Sequence, residues 1–471
     1  MNYETTLRIL ELIPLVFVTI LGCCVGSLIN VLNYRMPLGL DVVTPTSRCP
    51  HCSTKLTFRE NVPVLGWLCL RGRCRFCASK ISSEYVIVEA LVGLMYAALW
   101  VGFYMIPAPT IFLGIPLHAV TPDWARLGWQ TTWPYYIMVA GLFSCLLSMT
   151  IIDARTFTIP VALTTAAAAI GLLGHMGQWG YLQLLGRSSS GISNGWLWSI
   201  PTPINFANPD ARSPADLLFT GWWWVGSSLG ATLGLGVGLL MLRLKLIKRS
   251  FDSYPAWEQD QLDRQRAEAA STPSDSAAPT APTTEDTDPT ILWTAYPHAR
   301  REMVRELAFL APAALLGALG GWLATALAFT PPPPNLPQDA VFLGAAVPPL
   351  WLVVLTGVLM GFLIGGGLVW AIRIFGTFAF GKEAMGLGDV HLMAGVGACL
   401  GWIDSTLAFF LSAFIAMLGT LAMALTRGKV RKTLPYGPWL ALATLMVFVL
   451  KPIAEWGISR LVNAPQPISL P

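Results

Sequence analysis

Charged residues are scarce in this sequence. Only 12% of the 471 residues are Asp, Glu, Lys or Arg, against roughly a quarter in soluble proteins, while 54% are apolar. A soluble globular protein of this size is excluded. The apolar residues gather in runs near the roughly 20 that a helix needs to cross a hydrocarbon core of about 30 Å, and the chain reads as an all-α polytopic membrane protein. Other absences narrow the chemistry. There is no Gly-x-Ser-x-Gly, no His-Glu-x-x-His and no Walker-type loop, which removes a serine-hydrolase elbow, a zinc-peptidase helix and a phosphate cradle; Gly386-Leu387-Gly388 cannot cradle phosphate with Asp389 following. The net charge is only +4 and the basic residues fall in short clusters beside apolar runs, so no nucleic-acid partner is expected. A cleavable leader is a poor reading of the start: Arg8 stands between two acids, and Cys23, Cys24 and Gly26 lie inside one long apolar run. No internal repeat is evident.

What the sequence does contain is about ten candidate spans, over residues 10–34, 84–106, 133–152, 159–177, 219–243, 303–329, 349–372, 390–405, 406–426 and 434–456. Lys and Arg accumulate on cytoplasmic loops. With the N-terminus outside, 24 of the 30 fall on the cytoplasmic side, in Arg35–Lys80, Arg155, Arg243–Arg305, Arg373, Lys382 and Arg427–Lys432. The chain therefore divides into a first transmembrane helix (1–34), a cytoplasmic cysteine-bearing loop (35–83), membrane helices and an external loop (84–218), a further helix pair (219–329) and the remaining membrane helices (330–471). Within the pair, residues 252–290, rich in Pro, Ser and Thr towards their end, are expected to be a disordered cytoplasmic linker. Residues 178–217 are expected to form the external loop, and Pro331–Pro334 a stiff external turn.

Four of the nine cysteines form Cys49-Pro50-His51-Cys52 and Cys74-Arg75-Phe76-Cys77, a CxxC pair repeated across 21 residues. This is close to the spacing of tetrahedral four-cysteine zinc sites. Disulfides are the competing reading, disfavoured in a reducing cytoplasm. Four thiolates leave no open position on the metal, which points to a structural role. Arg48, Arg71, Arg73 and Arg75 are expected to stabilise the thiolates by proximity. His51 is read as a turn residue, with ligation as the alternative; Cys69 is a spare thiol, and Cys23, Cys24, Cys145 and Cys399 are packing residues.

Acids near the spans are few, and each is costly there unless paired or functional. Asp153 ends the third span, and Asp389 sits in Gly386-Leu387-Gly388-Asp389 at the start of the eighth. Either alone could be a helix-end residue reaching for water. An even number of spans separates them, which returns both to the cytoplasmic face. Two adjacent carboxyls can share a proton, one taking a proton from water while the other donates to a scissile carbonyl oxygen, as in aspartic proteases. A proton-coupled transporter, or a scaffold in which the acids are structural, stays open as the alternative.

Several motifs then agree in order. Gly26-Ser27-Leu28-Ile29-Asn30 with Arg35 and Pro37, the paired CxxC, Glu60-Asn61-Val62-Pro63, Asp153 with Ile159-Pro160, Glu383-Ala384-Met385-Gly386-Leu387-Gly388-Asp389, and Pro435-Tyr436-Gly437-Pro438 together resemble bacterial type IV prepilin peptidases, over roughly residues 20–160 and 375–445. The resemblance implies a multi-pass inner-membrane aspartic peptidase that removes the basic leaders of prepilins and pseudopilins of pili and secretion systems at the cytoplasmic face, typically between Gly and Phe. N-methylation of the new terminus by S-adenosylmethionine would follow. It implies Asp153 and Asp389 as the catalytic pair and Cys49, Cys52, Cys74 and Cys77 as ligands of a structural zinc. Gly26, Ser27, Asn30 and Arg35 belong to the signature around the first helix. The basic residues of the cysteine loop would repel the leader and are not its dock.

Departures from the family pattern are specific. The family has eight spans, whereas residues 219–329 add two helices; His391 stands where Lys is usual, Val161 where an acid or Asn commonly follows Ile-Pro, and Val86 where Pro is usual.

Overall fold

A computed structural model describes residues 3–44, 47–49, 51–106, 110–112, 115–116, 121–186, 221–271, 296–328, 348–427 and 435–462. Each of the ten expected spans corresponds to a helix. They are α1 (Tyr3–Arg35), α3 (Ser83–Trp100, prolonged by a π-turn at Val101–Met105), α4 (Trp129–Thr156), α5 (Val161–Leu184) and α6 (Gly221–Arg243), then α8 (Ala299–Ala328), α9 (Leu350–Phe380), α10 (Leu387–Leu400), α11 (Trp402–Arg427) and α12 (Gly437–Leu461). Among the described residues, two further α-helices lie outside the spans, α2 (Leu65–Cys69) in the cysteine loop and α7 (Tyr254–Ser271) after α6, with a 3-10 turn at Asp123–Leu127. Among the described residues the only strands are a two-residue antiparallel pair, Ile111–Phe112 with Ile115–Pro116.

Among the described residues, eight helices are long and apolar enough to cross a membrane. A ninth, α12, qualifies as a span bent by 46° between Lys451 and Ile453, where Pro452 removes a backbone donor. The tenth, α10, has 14 residues. At 1.5 Å per residue it is about 21 Å long, short of the roughly 30 Å hydrocarbon core. It tolerates this because α5, α9 and α11 pack around it, with α4 and α12 also in contact, and every residue from Val390 to Leu400 except His391 is buried. Its match to lipid thickness is thus relaxed, and its N-terminus is fixed by protein.

Helix ends carry conventional stops. Ser82 Oγ accepts from Glu84 N at 3.2 Å to start α3; Phe157 (φ 54) and Gly381 (φ 68) turn the chain left-handed to end α4 and α9. α6 and α8 pack against each other more extensively than any other pair, because Gly226, Gly230, Gly234 and Gly238 recur every four residues on one face. A Cβ at the first three would overlap the carbonyl oxygens of Gly320, Leu316 and Pro312. Close backbone approach between small residues is how helices associate where lipid offers no hydrophobic driving force.

Two expectations need correction. The segment expected to be a disordered linker from 252 begins with helix α7, and Tyr254, Tyr296 and Ala299 form a buried cluster with Phe251 and Trp257 packed against it. Averaging composition over the whole segment hid Tyr254 and Trp257 behind the Pro, Ser and Thr residues that follow, while Phe251 and Tyr296 flank it. Helix α5 continues to Leu184, past residue 178 where the external loop is expected to begin. Residues 272–290, 187–217 and Pro331–Pro334, for which a linker, a loop and a stiff turn are expected, lie outside the described residues.

Gly230→Leu is expected to cost about 2 kcal/mol of stability through overpacking against α8, measured by thermal unfolding in detergent. Gly236→Leu, at a position with open space around it, is expected to stay within about 0.5 kcal/mol of the parent.

Candidate active site

The four cysteines converge. The Sγ atoms of Cys49, Cys52, Cys74 and Cys77 all lie within 4.8 Å of one another, and Cys49 and Cys77 are 3.8 Å apart. A tetrahedron with metal–sulphur bonds of about 2.3 Å has edges of about 3.8 Å, so the donor set fits one ion. The two halves are built alike. Ser53 N donates to Cys49 O and Ala78 N to Cys74 O, both at 2.9 Å, and Cys49 N and Cys74 N donate to Thr54 O and Ser79 O. Ser53 (φ 53) and Ala78 (φ 56) take the same left-handed turn, and the paired bridges Arg48 with Lys55 and Arg73 with Lys80 close each knuckle. The backbone N–H of Cys52, then that of His51, hold the Cys49 thiol down to about 6 against the effect of burial. The expected role of the arginines is corrected accordingly: backbone amides do this work, and Arg75 pairs instead with Glu60 at 3.0 Å. His51 and Cys69 are exposed, and no disulfide forms among the described residues.

This subdomain is tied to the membrane helices by Glu89 on α3, whose Oε2 accepts from Val64 N at 2.7 Å. The signature around the first helix explains the adjoining contacts. Gly26 lets α1 approach α3, where a Cβ would stand 2.6 Å from Glu89 Cα, and Asn30 Nδ2 donates to Tyr85 O at 2.9 Å. Arg35, closing α1, donates to the carbonyls of Asp41 and Val42, both at 3.2 Å. These residues shape the junction between helices and subdomain.

Asp153 and Asp389 are buried at the same end of the bundle, 5% and 8% exposed. That is not the geometry of carboxylates reaching for water. Asp153 lies in the last turn of α4, and its Oδ2 accepts from Gly437 N at 3.0 Å. Asp389 lies in the first turn of α10, and its charge environment includes Asp153, Arg373 and Glu383. Two contacts bring the helix ends together. Gly388 packs on Ile159, where a Cβ would stand 2.9 Å from the Ile159 Cβ; and the Tyr436-Gly437 turn reaches both acids, with Gly437 bonded to Asp153 and Tyr436 within electrostatic range of Asp389. Tyr436 is itself held by a 2.7 Å bond between its hydroxyl and that of Ser412.

Sequence reasoning overlooked the charged neighbours. Arg373, read only as one more cytoplasmic cation, is 2% exposed and pairs with Glu306 and Glu383, which are 3% and 7% exposed. The signal was available: each lies within or beside an apolar run, where an unpaired charge is costly. Glu89 and the Asn33–Ser148 bond at 2.7 Å are further buried polar partners of the same kind.

Comparison with known proteins bears out the resemblance drawn from the motifs. Residues 20–103 match the family model of the Bacterial Peptidase A24 N-terminal domain. Among curated proteins, a prepilin leader peptidase/N-methyltransferase of Myxococcus xanthus is 41% identical over 133 residues, covering 27% of this chain and 39% of that protein. Proteins of the same name from Klebsiella pneumoniae and Burkholderia pseudomallei are 32% identical over 163 residues and 31% over 209, covering 33% and 39% of this chain and 60% and 58% of theirs. The chain thus spans less than two thirds of the length of these relatives, and the family model ends before either aspartate. No solved structure matches.

A Cβ at Gly437 would stand 2.7 Å from Asp153 Oδ2. Gly437→Ala is therefore expected to break the bond to Asp153 and to speed hydrogen exchange at the residue-437 amide by about tenfold or more, equivalent to ~1.4 kcal/mol.

Proposed function

We propose that this chain is a prepilin leader peptidase that cleaves basic leaders from prepilins or pseudopilins, with Asp153 and Asp389 as its catalytic pair. The observation that carries the reading is the burial of both carboxyls, with 235 residues between them in sequence, at one end of the bundle, where the Tyr436-Gly437 turn lies beside each. The similarity to enzymes of that name supplies the substrate class.

In this reading one carboxylate removes a proton from water as the water attacks the scissile carbonyl, and the protonated partner donates to the carbonyl oxygen. As the resulting diol collapses and the C–N bond breaks, the new amino terminus takes the proton that the first carboxylate had gained and a diol hydroxyl gives one back to the second carboxylate, which returns the pair to its starting state. The Gly437 amide orients Asp153 without being consumed. Gly386, exposed beside Asp389, leaves room for an extended substrate backbone.

The site faces the cytoplasm of an inner-membrane protein. The cation distribution supports this, as does the Arg155–Glu84 pair, which sets the first turn of α3, directly after the cysteine subdomain, beside the last turn of α4. A substrate with a basic leader and an apolar stem would present its cleavage point at this depth. The four cysteines hold a structural zinc, and with no open coordination position the metal would brace the knuckles and take no part in hydrolysis. N-methylation of the new terminus, with S-adenosylmethionine as donor, follows from the relatives' names; no glycine-rich nucleotide-binding turn is found among the described residues.

Asp153→Asn and Asp389→Asn are each expected to lower kcat for leader cleavage of a purified prepilin by about a thousandfold or more, with KM changed only a few-fold. Retained cleavage by either would overturn the assignment. Metal analysis is expected to find one zinc per chain, lost in Cys49→Ser. Mass spectrometry of the cleaved pilin in the presence of S-adenosylmethionine is expected to show one added methyl group, and an unmodified terminus would refute the second activity.

A further inference from the structure

The α6–α8 pair, which has no counterpart in the family pattern, meets the segment that leads into Asp389. Glu306, two turns into α8, accepts from Trp370 Nε1 at 2.6 Å, from Arg373 Nε at 3.2 and 3.3 Å and from Arg373 Nη2 at 3.1 Å. The opposite edge of the same guanidinium donates, through Nη1, to Glu383 Oε1 and to the carbonyl oxygen of Met385. One buried cation is thus shared between the added helices and the loop between α9 and α10. Phe251, in the turn before α7, lies against Arg373 with its ring centroid 5.4 Å from Cζ, and is held there by a 2.9 Å bond from its N–H to Glu302 Oε2. Arg300 lies beside Gly381, where a Cβ would be 3.5 Å from its Nη2.

Gly381 and Gly386 bound the loop and Gly388 follows. Its other tethers run to the end of α9 or within the loop, from Gly381 N to Thr377 O at 2.9 Å, Ala384 N to Thr377 Oγ1 at 3.2 Å and Asp389 N to Gly386 O at 3.2 Å, with Met385 packed against the core. A guanidinium presents its donors in a rigid planar fork. With one edge gripped by both oxygens of Glu306, the other edge can occupy only one place, and it is that edge which holds Glu383 and Met385, four residues before Asp389. Buried ion pairs add little to stability as such, and their best-attested use is to specify one arrangement over its alternatives.

We infer that Glu306 is a positioning residue of the aspartic site: by orienting Arg373 it fixes residues 383–388 and hence the Asp389 carboxyl, which makes the added helix pair a working part of the enzyme. The inference rests on the peptidase reading above. A displacement of about 1 Å in a reacting group costs up to about a hundredfold in rate while leaving distant substrate contacts intact.

The test uses the full chain in lipid nanodiscs with a purified prepilin. Glu306→Gln is expected to lower kcat by about tenfold or more with KM within about twofold, and to speed amide exchange across residues 382–388. Arg373→Lys is expected to do the same, because one ammonium cannot bridge both acids in that geometry, and the double variant should lose no more than either single. Asp260→Asn, which breaks the exposed pair with Arg264 elsewhere in the added segment, should change nothing. Unchanged kcat and unchanged exchange in Glu306→Gln would overturn the inference. So would multiplicative losses in the double variant, or failure of both single variants to fold, which would make the pair a structural prop. Failure of the peptidase reading looks different: the parent would leave prepilin uncut, or Asp389→Asn would still cut it, whatever Glu306→Gln does.

Discussion

An ionisable group placed among apolar helices is costly unless something compensates its charge, and one end of this bundle is organised around that cost. Asp153 receives an amide from the turn before α12, Glu89 an amide from the cysteine subdomain, and Arg373 two acids from different parts of the chain. Apart from the Arg373–Glu383 pair, ten residues apart, each compensating contact joins segments distant in sequence. The groups that are hardest to bury are therefore those that bring the ends of α4, α8, α9, α10 and α12 to one place.

The apolar remainder of the bundle gives those ends a fixed frame. α10 is short and enclosed, so its N-terminus is set by protein neighbours instead of by lipid thickness. Where α9 crosses it, Gly361 and Gly397 oppose each other so closely that a Cβ on either would overlap the other's carbonyl. Close packing of this kind transmits position well, because it has few intermediate arrangements. A rigid α10 carrying Asp389 at its first turn is the kind of support a two-carboxyl mechanism requires.

Much of this was legible in the sequence and some was not, for physical reasons. Each of the ten apolar runs marked a helix, because a bilayer imposes a length on most of them; eight are long and apolar enough to span, a ninth qualifies as a bent span, and α10 is held by protein instead. The CxxC repeat identified the four-cysteine cluster, because a tetrahedral ion imposes a local spacing. The ordered motifs pointed to both aspartates. Arg373 with Glu306 escaped notice because the pairing is between helices, with no period or spacing to reveal it; counting Arg373 as a topological signal concealed that it is buried. Tyr254 and Trp257 were lost for a related reason, as two aromatic anchors carry little weight in the average of a long polar segment, and their partner Tyr296 lies beyond its end. The added helix pair, unexplained from sequence, acquires a role once Glu306 is seen to hold Arg373.

The central claim is that Asp153 and Asp389 act as one unit. Leader-cleavage rates of Asp153→Asn, Asp389→Asn and the double variant test it directly. Groups that act as a unit are strongly non-additive, so the double variant is predicted to retain the same residual rate as either single one. Losses that multiply would contradict the account, since they would mean two carboxyls contributing independently.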